Sequence, residues 1–409
     1  MEIGLSEKKL GAVRLSGLII GPILGSGILI LPPLSVEVMG DWAIFGWGLM
    51  ICLSFLFAFI FSYMSVEFPG DAGVANAIEH SYGKGAKQLA AFYLTGAALF
   101  GPVAVLLTAA KYININTGLS DNTLAFGILI FALLLLLRRV TSVGTVSFVM
   151  SSVSAVALFI GGAVCIFTDS NPSVPVSDFA PEDFGYGLLL LFWTIVGWEI
   201  IGNYTAVIKD PRKTLPKAVV FSALIIAVVT LTVVSAMQWG EHDGTLSMTN
   251  IVEPVFGDLS PYVIAVLAFS LCGSTYMAFT GAVARLLCAL SVNGTLPKFF
   301  SGRNSADAPA NALWLIVYAH VSVLVLARLG LADVESLVSL ADGFFLANAM
   351  MGLFAGVRIL RQPALKVASA GLGLVFFAIL CFSSPVTLVI IFLMAVVVPM
   401  TMKTKVHTF

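Results

Sequence analysis

Charged residues are scarce in this chain of 409 residues: Asp, Glu, Lys and Arg make up 11% of it, whereas 59% is hydrophobic. Soluble domains carry about 25% charged residues. Several apolar runs are as long as the ~20 residues that a helix needs to cross a bilayer. Runs such as FALLLLL (131–137) do not alternate as barrel strands do. The composition therefore predicts an all-α integral membrane protein, and we expect no nucleic-acid partner.

Residues that ligate metals or form disulfides are also few. The five cysteines lie singly within hydrophobic spans and the four histidines are scattered, so neither a CxxC pair nor an HExxH motif occurs. We expect no metal, no cofactor and no disulfide framework. An enzyme embedded in the membrane would need a nucleophile beside a base, or metal ligands, inside its spans. No histidine has such a partner in the sequence, so we expect no enzymatic activity.

Basic residues are confined to alternate loops. Twelve predicted spans place all 21 lysines and arginines on one side of the membrane except Lys111 and Arg328. Because basic loops remain in the cytoplasm, this partition predicts a multi-pass protein of the cytoplasmic (plasma or bacterial inner) membrane with both termini cytoplasmic. The predicted spans are residues 12–39, 43–67, 88–113, 121–137, 142–167, 185–208, 217–239, 261–290, 311–329, 334–357, 366–383 and 385–402.

Two spans contain residues that break helices. The first includes GPILGSGILILPP (21–33), and the sixth includes FWTIVGWEIIGN (192–203). Paired interrupted helices in two halves of a chain are typical of transporters built from inverted repeats. We therefore interpret the chain as a single transmembrane domain over 1–409, with helices 1–5 and the broken helix 6 within 12–208, helices 6–10 within 185–357, and helices 11–12 within 366–402.

The first break offers binding groups for both charges of an amino acid. Gly25, Ser26 and Gly27 would leave amides at the start of the second half-helix, where an anion is stabilised. The carbonyls that end the first half-helix, around Ile23, would face a cation. Alternatively, the glycines only allow close packing of helices, which is common in membrane proteins. The matching break in the sixth span favours a binding site.

Three motifs resemble, in order and spacing, those of the amino acid–polyamine–organocation (APC) transporters. GSGILILP resembles their first helix, FWTIVGWE followed by KDPRKTLPKAV their sixth helix and its loop, and ARLLCALSVNGTLPKFF followed by APANAL their eighth helix and its loop. Together the motifs span residues 21 to about 313. The resemblance implies a LeuT-like 5+5 inverted repeat with broken helices 1 and 6, and transport of free amino acids by alternating access. The chain length is similar to that of the family's bacterial exporters of methionine and branched-chain amino acids.

The break and the resemblance together predict the substrate contacts. The resemblance implies that the substrate carboxylate meets the amides of Ser26 and Gly27. It also implies that the α-amino group meets the carbonyls of Ile23 and Val196. Trp193 would line the pocket for the substrate side chain. The complete set of predicted substrate contacts is Ile23, Gly25, Ser26, Gly27, Trp193, Val196, Gly197 and Phe279, the last standing where arginine-exchanging relatives have a tryptophan.

Glu199 is the acid that lies most plainly inside a span at a break, and acids in membrane spans are functional candidates. The resemblance associates this position with proton coupling or gating; the alternative is a structural hydrogen-bond acceptor. The fifth span lacks the lysine of some proton-driven relatives and is rich in serine. Ser154 could therefore form a sodium site with Ser274 or Thr275, which leaves both proton and sodium open as the coupling ion.

The spans are mostly apolar, so we expect the substrate to be a neutral, hydrophobic amino acid that is carried by secondary active transport. Proton-coupled export is one form that this transport could take. The alternative is an antiporter that exchanges diamines or basic amino acids, in which Glu199 would pair with the distal ammonium. A channel would more naturally use symmetric filter loops than two broken helices. The other expected partner is the lipid bilayer, and the sequence does not determine the oligomeric state or the direction of transport.

Overall fold

The computed structural model describes residues 10–169, 172, 174–240 and 246–406. Residues 1–9 and 407–409, the two termini predicted to be cytoplasmic, lie outside the described residues. The described chain is mainly helical, with 3-10 segments between α-helices and no named strand. Its helices are α1 (Ala12–Leu24), α2 (Gly27–Met39), α3 (Ala43–Glu67), α4 (Val74–Tyr82), α5 (Lys84–Thr117), α6 (Asp121–Leu136), α7 (Val140–Asp169), α8 (Pro181–Leu191), α9 (Pro211–Trp239), α10 (Met248–Phe256), α11 (Ser260–Val292), α12 (Ala310–Arg328), α13 (Val334–Ile359), α14 (Pro363–Leu380) and α15 (Pro385–Val406).

Nine helical stretches in the described chain are long and apolar enough to cross a membrane, which confirms a multi-pass, all-α membrane protein. The stretch Ala12–Glu67 contains the first two predicted spans, and two further apolar helices, Asp121–Leu136 and Pro385–Val398, are shorter. α6 has 16 residues, which corresponds to about 24 Å at 1.5 Å per residue. The hydrocarbon core is about 30 Å thick, so the count of twelve spans stays a prediction.

The first span is interrupted where the glycines predict it. α1 ends at Leu24 and α2 begins at Gly27. Gly25 between them has a φ of 28°, and its amide donates a hydrogen bond to the carbonyl of Gly21 at 2.7 Å. A Cβ on Gly25 would lie 2.5 Å from Oγ1 of Thr275. Both the backbone angle and the close approach of α11 therefore require glycine at this position.

The sixth span is interrupted in a different way. α8 ends at Leu191, and the chain continues as 3-10 segments over Phe192–Thr194 and Val196–Val207. Twelve residues of 3-10 winding are unusual, because its hydrogen-bond geometry is poorer than that of an α-helix. A Cβ on Gly197 would overlap Cγ1 of Ile23. The missing side chain at Gly197 lets this segment pack directly on α1, so the two interruptions lie against each other.

Candidate functional site

A cavity of about 530 Å³ opens beside the interruption of the first span. Ser26 and Gly27 border the cavity at the junction of α1 and α2. Trp193 borders it from the 3-10 segment Phe192–Thr194, and Asp342 borders it from α13. The rest of the described lining is mostly aliphatic. The cavity volume falls in the range of ordinary small-molecule sites and is large enough for one amino acid.

The cavity has one end near the protein surface and one deep inside. Tyr186 and Phe382 border it and are 39% and 44% exposed, respectively. Ser26, at the opposite end, is 2% exposed. A small molecule could therefore enter past Tyr186 and Phe382 and reach the start of α2.

Trp193 forms the wall nearest to the start of α2. Its Nε1 donates a hydrogen bond to Oγ of Ser26 at 3.1 Å. Its ring meets Phe345 edge-on at 6.5 Å between centroids, and Phe345 in turn contacts Phe279 at 5.4 Å. A Cβ on Gly27 would lie 3.1 Å from Cδ1 of Trp193, so the indole covers the first turn of α2 closely.

The amides at the start of α2 are partly available. The first amides of a helix have no partner within that helix. The amide of Ser26 makes no backbone hydrogen bond to the described residues, whereas that of Gly25 is engaged by Gly21. The sequence predicted that the amides of Gly25, Ser26 and Gly27 are all free. For Gly25 this prediction is wrong, because its amide is the donor in the tight turn at the end of α1.

The predicted substrate contacts divide into two groups. Ser26, Gly27 and Trp193 line the cavity. The remaining five are buried around it without bordering it, with Ile23 and Val196 each 2% exposed and Phe279 5%. This second group consists of Ile23, Gly25, Val196, Gly197 and Phe279.

Glu199 lies in the longer 3-10 segment, Val196–Val207, and is buried, with 3% of its surface exposed. Nδ2 of Asn348 on α13 donates a hydrogen bond to its Oε2 at 2.6 Å, and its Oε1 has no hydrogen-bond partner among the described residues. Glu199 does not border the cavity. The carboxylate therefore connects the sixth span to α13, and it keeps one oxygen free to hold a proton.

Two of the three hydroxyl side chains predicted to form a sodium site, Ser274 and Thr275, lie against the end of α1. Oγ1 of Thr275 lies 2.9 Å from the carbonyl oxygen of Gly21 and 2.8 Å from that of Leu271. A Cβ on Gly21 would overlap Oγ of Ser274. Both side chains of α11 therefore reach the last turn of α1. Ser154 on α7 is fully buried, and its Oγ has no hydrogen-bond partner in the described part of the chain.

An ion cluster lies toward the other end of the sixth span, near Tyr204. Asp71 receives a hydrogen bond from Arg303 at 2.9 Å and forms a longer ion pair with Arg285 at 3.7 Å. The Arg285 guanidinium also lies over the ring of Tyr204, 5.6 Å from its centroid. The segment before Asp71 is held as well, because the amide of Gly70 donates to Oγ1 of Thr205 at 2.7 Å. These contacts tie the segment after α3 to α11 and to the sixth span.

Asp342 of α13 is an acid inside an apolar span that the predicted site does not include. It is 3% exposed, it borders the cavity, and its Oδ1 has no hydrogen-bond partner among the described residues. The only available signal was an acid inside an apolar span. Its position in the cavity depends on how α13 packs on α5.

Comparison with known proteins supports one family over nearly the whole chain. The sequence model described as "Amino acid permease" matches residues 10–407. The uncharacterized amino acid permease YecA of Bacillus subtilis (strain 168) is 25% identical over 371 residues, covering 87% of this chain and 86% of the relative. The L-methionine/branched-chain amino acid exporter YjeH of Escherichia coli (strain K12) is 23% identical over 376 residues, covering 89% of each. The putrescine transporter PotE of the same strain is 23% identical over 333 residues, covering 76% of this chain and 74% of the relative.

Proposed function

Because this chain belongs to the amino acid permease family, a family of membrane transporters, we propose that it is a secondary active transporter that moves a free amino acid across the cytoplasmic membrane by alternating access. The observation that carries the proposal is the cavity at the break between α1 and α2. Such irregular backbone at membrane depth is tolerated where it lines a cavity. In transporters of this design, the half-helix start faces the anionic group of the substrate.

We propose that this arrangement is an outward-open state. The basic residues predict that Asp71, Arg285 and Arg303 lie on the cytoplasmic side. The ion cluster would then close the cytoplasmic end while the cavity opens outward past Tyr186 and Phe382. Transport requires this cluster to separate as the outer end closes around the substrate. The LeuT-like arrangement of twelve helices in two inverted repeats is part of this proposal.

A neutral, hydrophobic amino acid is the proposed substrate. Aliphatic side chains such as Leu31, Leu189 and Val338 dominate the lining and suit an apolar substrate side chain. The substrate carboxylate would accept hydrogen bonds from the amides of Ser26 and Gly27. Ile23 and Val196, where the resemblance places the α-amino group, do not border the cavity in this state. The similarity to a bacterial exporter of methionine and branched-chain amino acids is consistent with this substrate class.

For the coupling ion, we propose a proton carried by Glu199. Its free Oε1 provides a place for the proton, and its bond to Asn348 links protonation to the contact between the sixth span and α13. Sodium remains the competing ion, with the hydroxyls of Ser274 and Thr275 beside α1 as its ligands.

Counterflow in proteoliposomes tests the proposal. Vesicles preloaded with unlabelled L-leucine or L-methionine should accumulate the labelled amino acid from outside, because a carrier couples the outward gradient of the unlabelled substrate to exchange without an added ion gradient. Empty liposomes and the Gly27→Val variant are the controls. An ion current without exchange would indicate a channel and contradict the proposal.

Exchange of diamines or basic amino acids is the second candidate, and a specific observation favours it. Asp342 is a carboxylate inside the cavity, the feature that a cationic side chain would need. A cadaverine/lysine antiporter of Escherichia coli (strain K12) is also similar, at 22% identity over 343 residues. Accumulation of labelled 1,4-diaminobutane in preference to L-leucine in the same assay would support this candidate.

A further inference from the structure

A second space in the protein, of about 350 Å³, lies where α3, α4 and α13 end. Its charged and aromatic lining includes Tyr63 and Glu67 on α3, His80 on α4, and Arg358 and Arg361 at the end of α13. We call this space the polar pocket. None of the described residues that line it also borders the cavity beside α2, so the polar pocket is separate from the proposed substrate site.

The two arginines of the polar pocket are engaged differently. Nη1 of Arg358 donates a hydrogen bond to the carbonyl oxygen of Ser81 at 2.8 Å, and its guanidinium lies over the ring of Tyr82, 4.2 Å from the centroid. Arg358 therefore offsets the partial negative charge that the carboxyl end of α4 carries. Arg361 is exposed and forms no ion pair with a described carboxylate. Its charge is available to a ligand.

An apolar groove of about 280 Å³ adjoins the polar pocket and lies between α3 and α9. The two spaces share Tyr63 and Glu67 as a common wall. Phe59 and Val220 line the groove and are 55% and 54% exposed, respectively. Phe59 lies eight residues before Glu67 on α3, or about 12 Å at 1.5 Å per residue. The apolar groove therefore extends from the helix ends into the membrane and is open to lipid.

A third arginine lies where the polar pocket and the apolar groove meet. Arg212 of α9 borders the groove, and its Nη2 is 4.0 Å from Oε1 of Glu67. An exposed pair of this length adds little stability, but it places a cation beside the only acid of the combined described lining. Three arginines and one glutamate give that lining a net charge of +2 when His80 is neutral. The combined site thus favours an anion.

We infer that the polar pocket and the apolar groove together bind one anionic phospholipid of the cytoplasmic leaflet, with its phosphate beside Arg361 and an acyl chain along the groove. The basic residues predict that these helix ends are cytoplasmic, and basic pockets between spans on that side bind anionic head groups. A free phosphate ion would use the arginines alone and leave the groove unfilled. The lipid site does not depend on which substrate the protein transports.

Native mass spectrometry of the full-length protein in detergent micelles tests the site by counting bound lipid during a titration. The probes are dioleoyl-phosphatidylglycerol, which is anionic, and dioleoyl-phosphatidylcholine, which has the same chains but no net charge. The wild type should bind the first phosphatidylglycerol at least ~5-fold more tightly, the contribution expected from one arginine near an anionic lipid. Arg361→Gln should lose most of this preference, and Arg361→Lys, which keeps the charge, should retain it. Equal wild-type affinity for the two lipids would overturn the site.

Arg139→Gln is the matched control. Arg139 is exposed between α6 and α7, is predicted on the same side of the membrane, and lines neither the polar pocket nor the apolar groove. This variant should bind phosphatidylglycerol as the wild type does. If Arg139→Gln and Arg361→Gln lose the preference equally, diffuse surface charge attracts the lipid and the assignment to this site is wrong.

Two further measurements distinguish a bound lipid from a free phosphate. Glycerol 3-phosphate carries the phosphate without acyl chains, so it should not displace phosphatidylglycerol at equal concentration. Displacement would mean that the arginines bind a soluble phosphate compound, which overturns the lipid as the occupant. Val220→Trp fills the exposed wall of the apolar groove and should weaken phosphatidylglycerol binding, because the acyl chain loses its place. Unchanged affinity in that variant would contradict the placement of the chain.

Discussion

At the scale of single residues, Gly27 is the position where a side chain would most directly obstruct the cavity. A Cβ there would lie 3.1 Å from Trp193, and a branched side chain would also cover the amides at the start of α2. We expect Gly27→Val to fold but to lose at least ~10-fold in affinity for its amino acid, about 1.4 kcal/mol. Thermal shift with L-leucine and L-methionine measures this loss.

The matched control is Gly127→Val on α6. A Cβ at Gly127 meets no atom within 4 Å, so that variant should bind as the wild type does. If Gly27→Val remains monodisperse and binds with unchanged affinity, the start of α2 is not the substrate site.

Glu199 gives a second prediction at this scale. Glu199→Gln keeps an oxygen that can accept the hydrogen bond from Asn348 but removes the titrating group. We expect the variant to bind substrate normally and to transport it without response to an imposed pH gradient. Uptake into proteoliposomes at two internal pH values measures the response. Full pH dependence in the variant would assign the proton to another group, and a wild type that requires sodium would favour Ser274 and Thr275.

At the scale of an element, α13 carries both Asp342 and Asn348, so its start is important to the site. Oδ1 of Asp333 accepts a hydrogen bond from the amide of Ser336 at 2.7 Å, and the amide of Asp333 donates a hydrogen bond to Oγ of Ser336 at 3.1 Å. This capping box satisfies the first donors of the helix. We expect Asp333→Ala to lower the free energy of unfolding by about 1 kcal/mol, measured as a lower melting temperature in detergent.

The same cap predicts a dependence on pH. The bonds from Ser336 lower the pKa of Asp333 below its ordinary value, so the charged carboxylate stabilises the folded state. That contribution is complete above the unfolded pKa of about 3.9 and is lost as the pH falls through the lower, folded value. Asp333→Asn should retain the cap at neutral pH but lose this contribution to the pH dependence of the melting temperature. A wild-type and Asn variant with identical acid profiles would contradict the assignment.

At the scale of the whole molecule, we expect the ion cluster around Asp71 to determine which end of the bundle is open. Asp71 holds Arg285 and Arg303 together, and Cys288, fully buried on α11, lies beneath the same end, with Sγ 3.8 Å from the carbonyl oxygen of Ser301. We expect Asp71→Asn to weaken the closed end and to increase the rate at which a maleimide labels Cys288 several-fold. Mass spectrometry of a variant with the other four cysteines replaced by serine measures this rate.

Asp258→Asn provides the control for this experiment, because Asp258 is exposed and is not part of the cluster. An equal labelling rate in Asp71→Asn and in the control would mean that the cluster does not hold the end closed.

Local sequence determined the helical, membrane-spanning class and the positions of the breaks. Long apolar runs leave a chain in lipid no alternative but to satisfy its own backbone hydrogen bonds, and glycines such as Gly25 weaken a helix at their own position. These effects need no tertiary information, which is why the interruptions and the candidates Ser26, Gly27 and Trp193 could be located from sequence. The family motifs added the order of the helices.

Only the tertiary structure decided which residues meet in the cavity. Asp342 and Ser26 are more than three hundred positions apart, and their association depends on the packing of α5, α13 and the 3-10 segment. Periodicity places an acid on a helix but does not determine which neighbour that face contacts, so Asp342 could equally have been a wet helix end. For the same reason the sequence did not predict that Asn348 would hold Glu199, or that Ile23 and Val196 would lie behind the cavity wall.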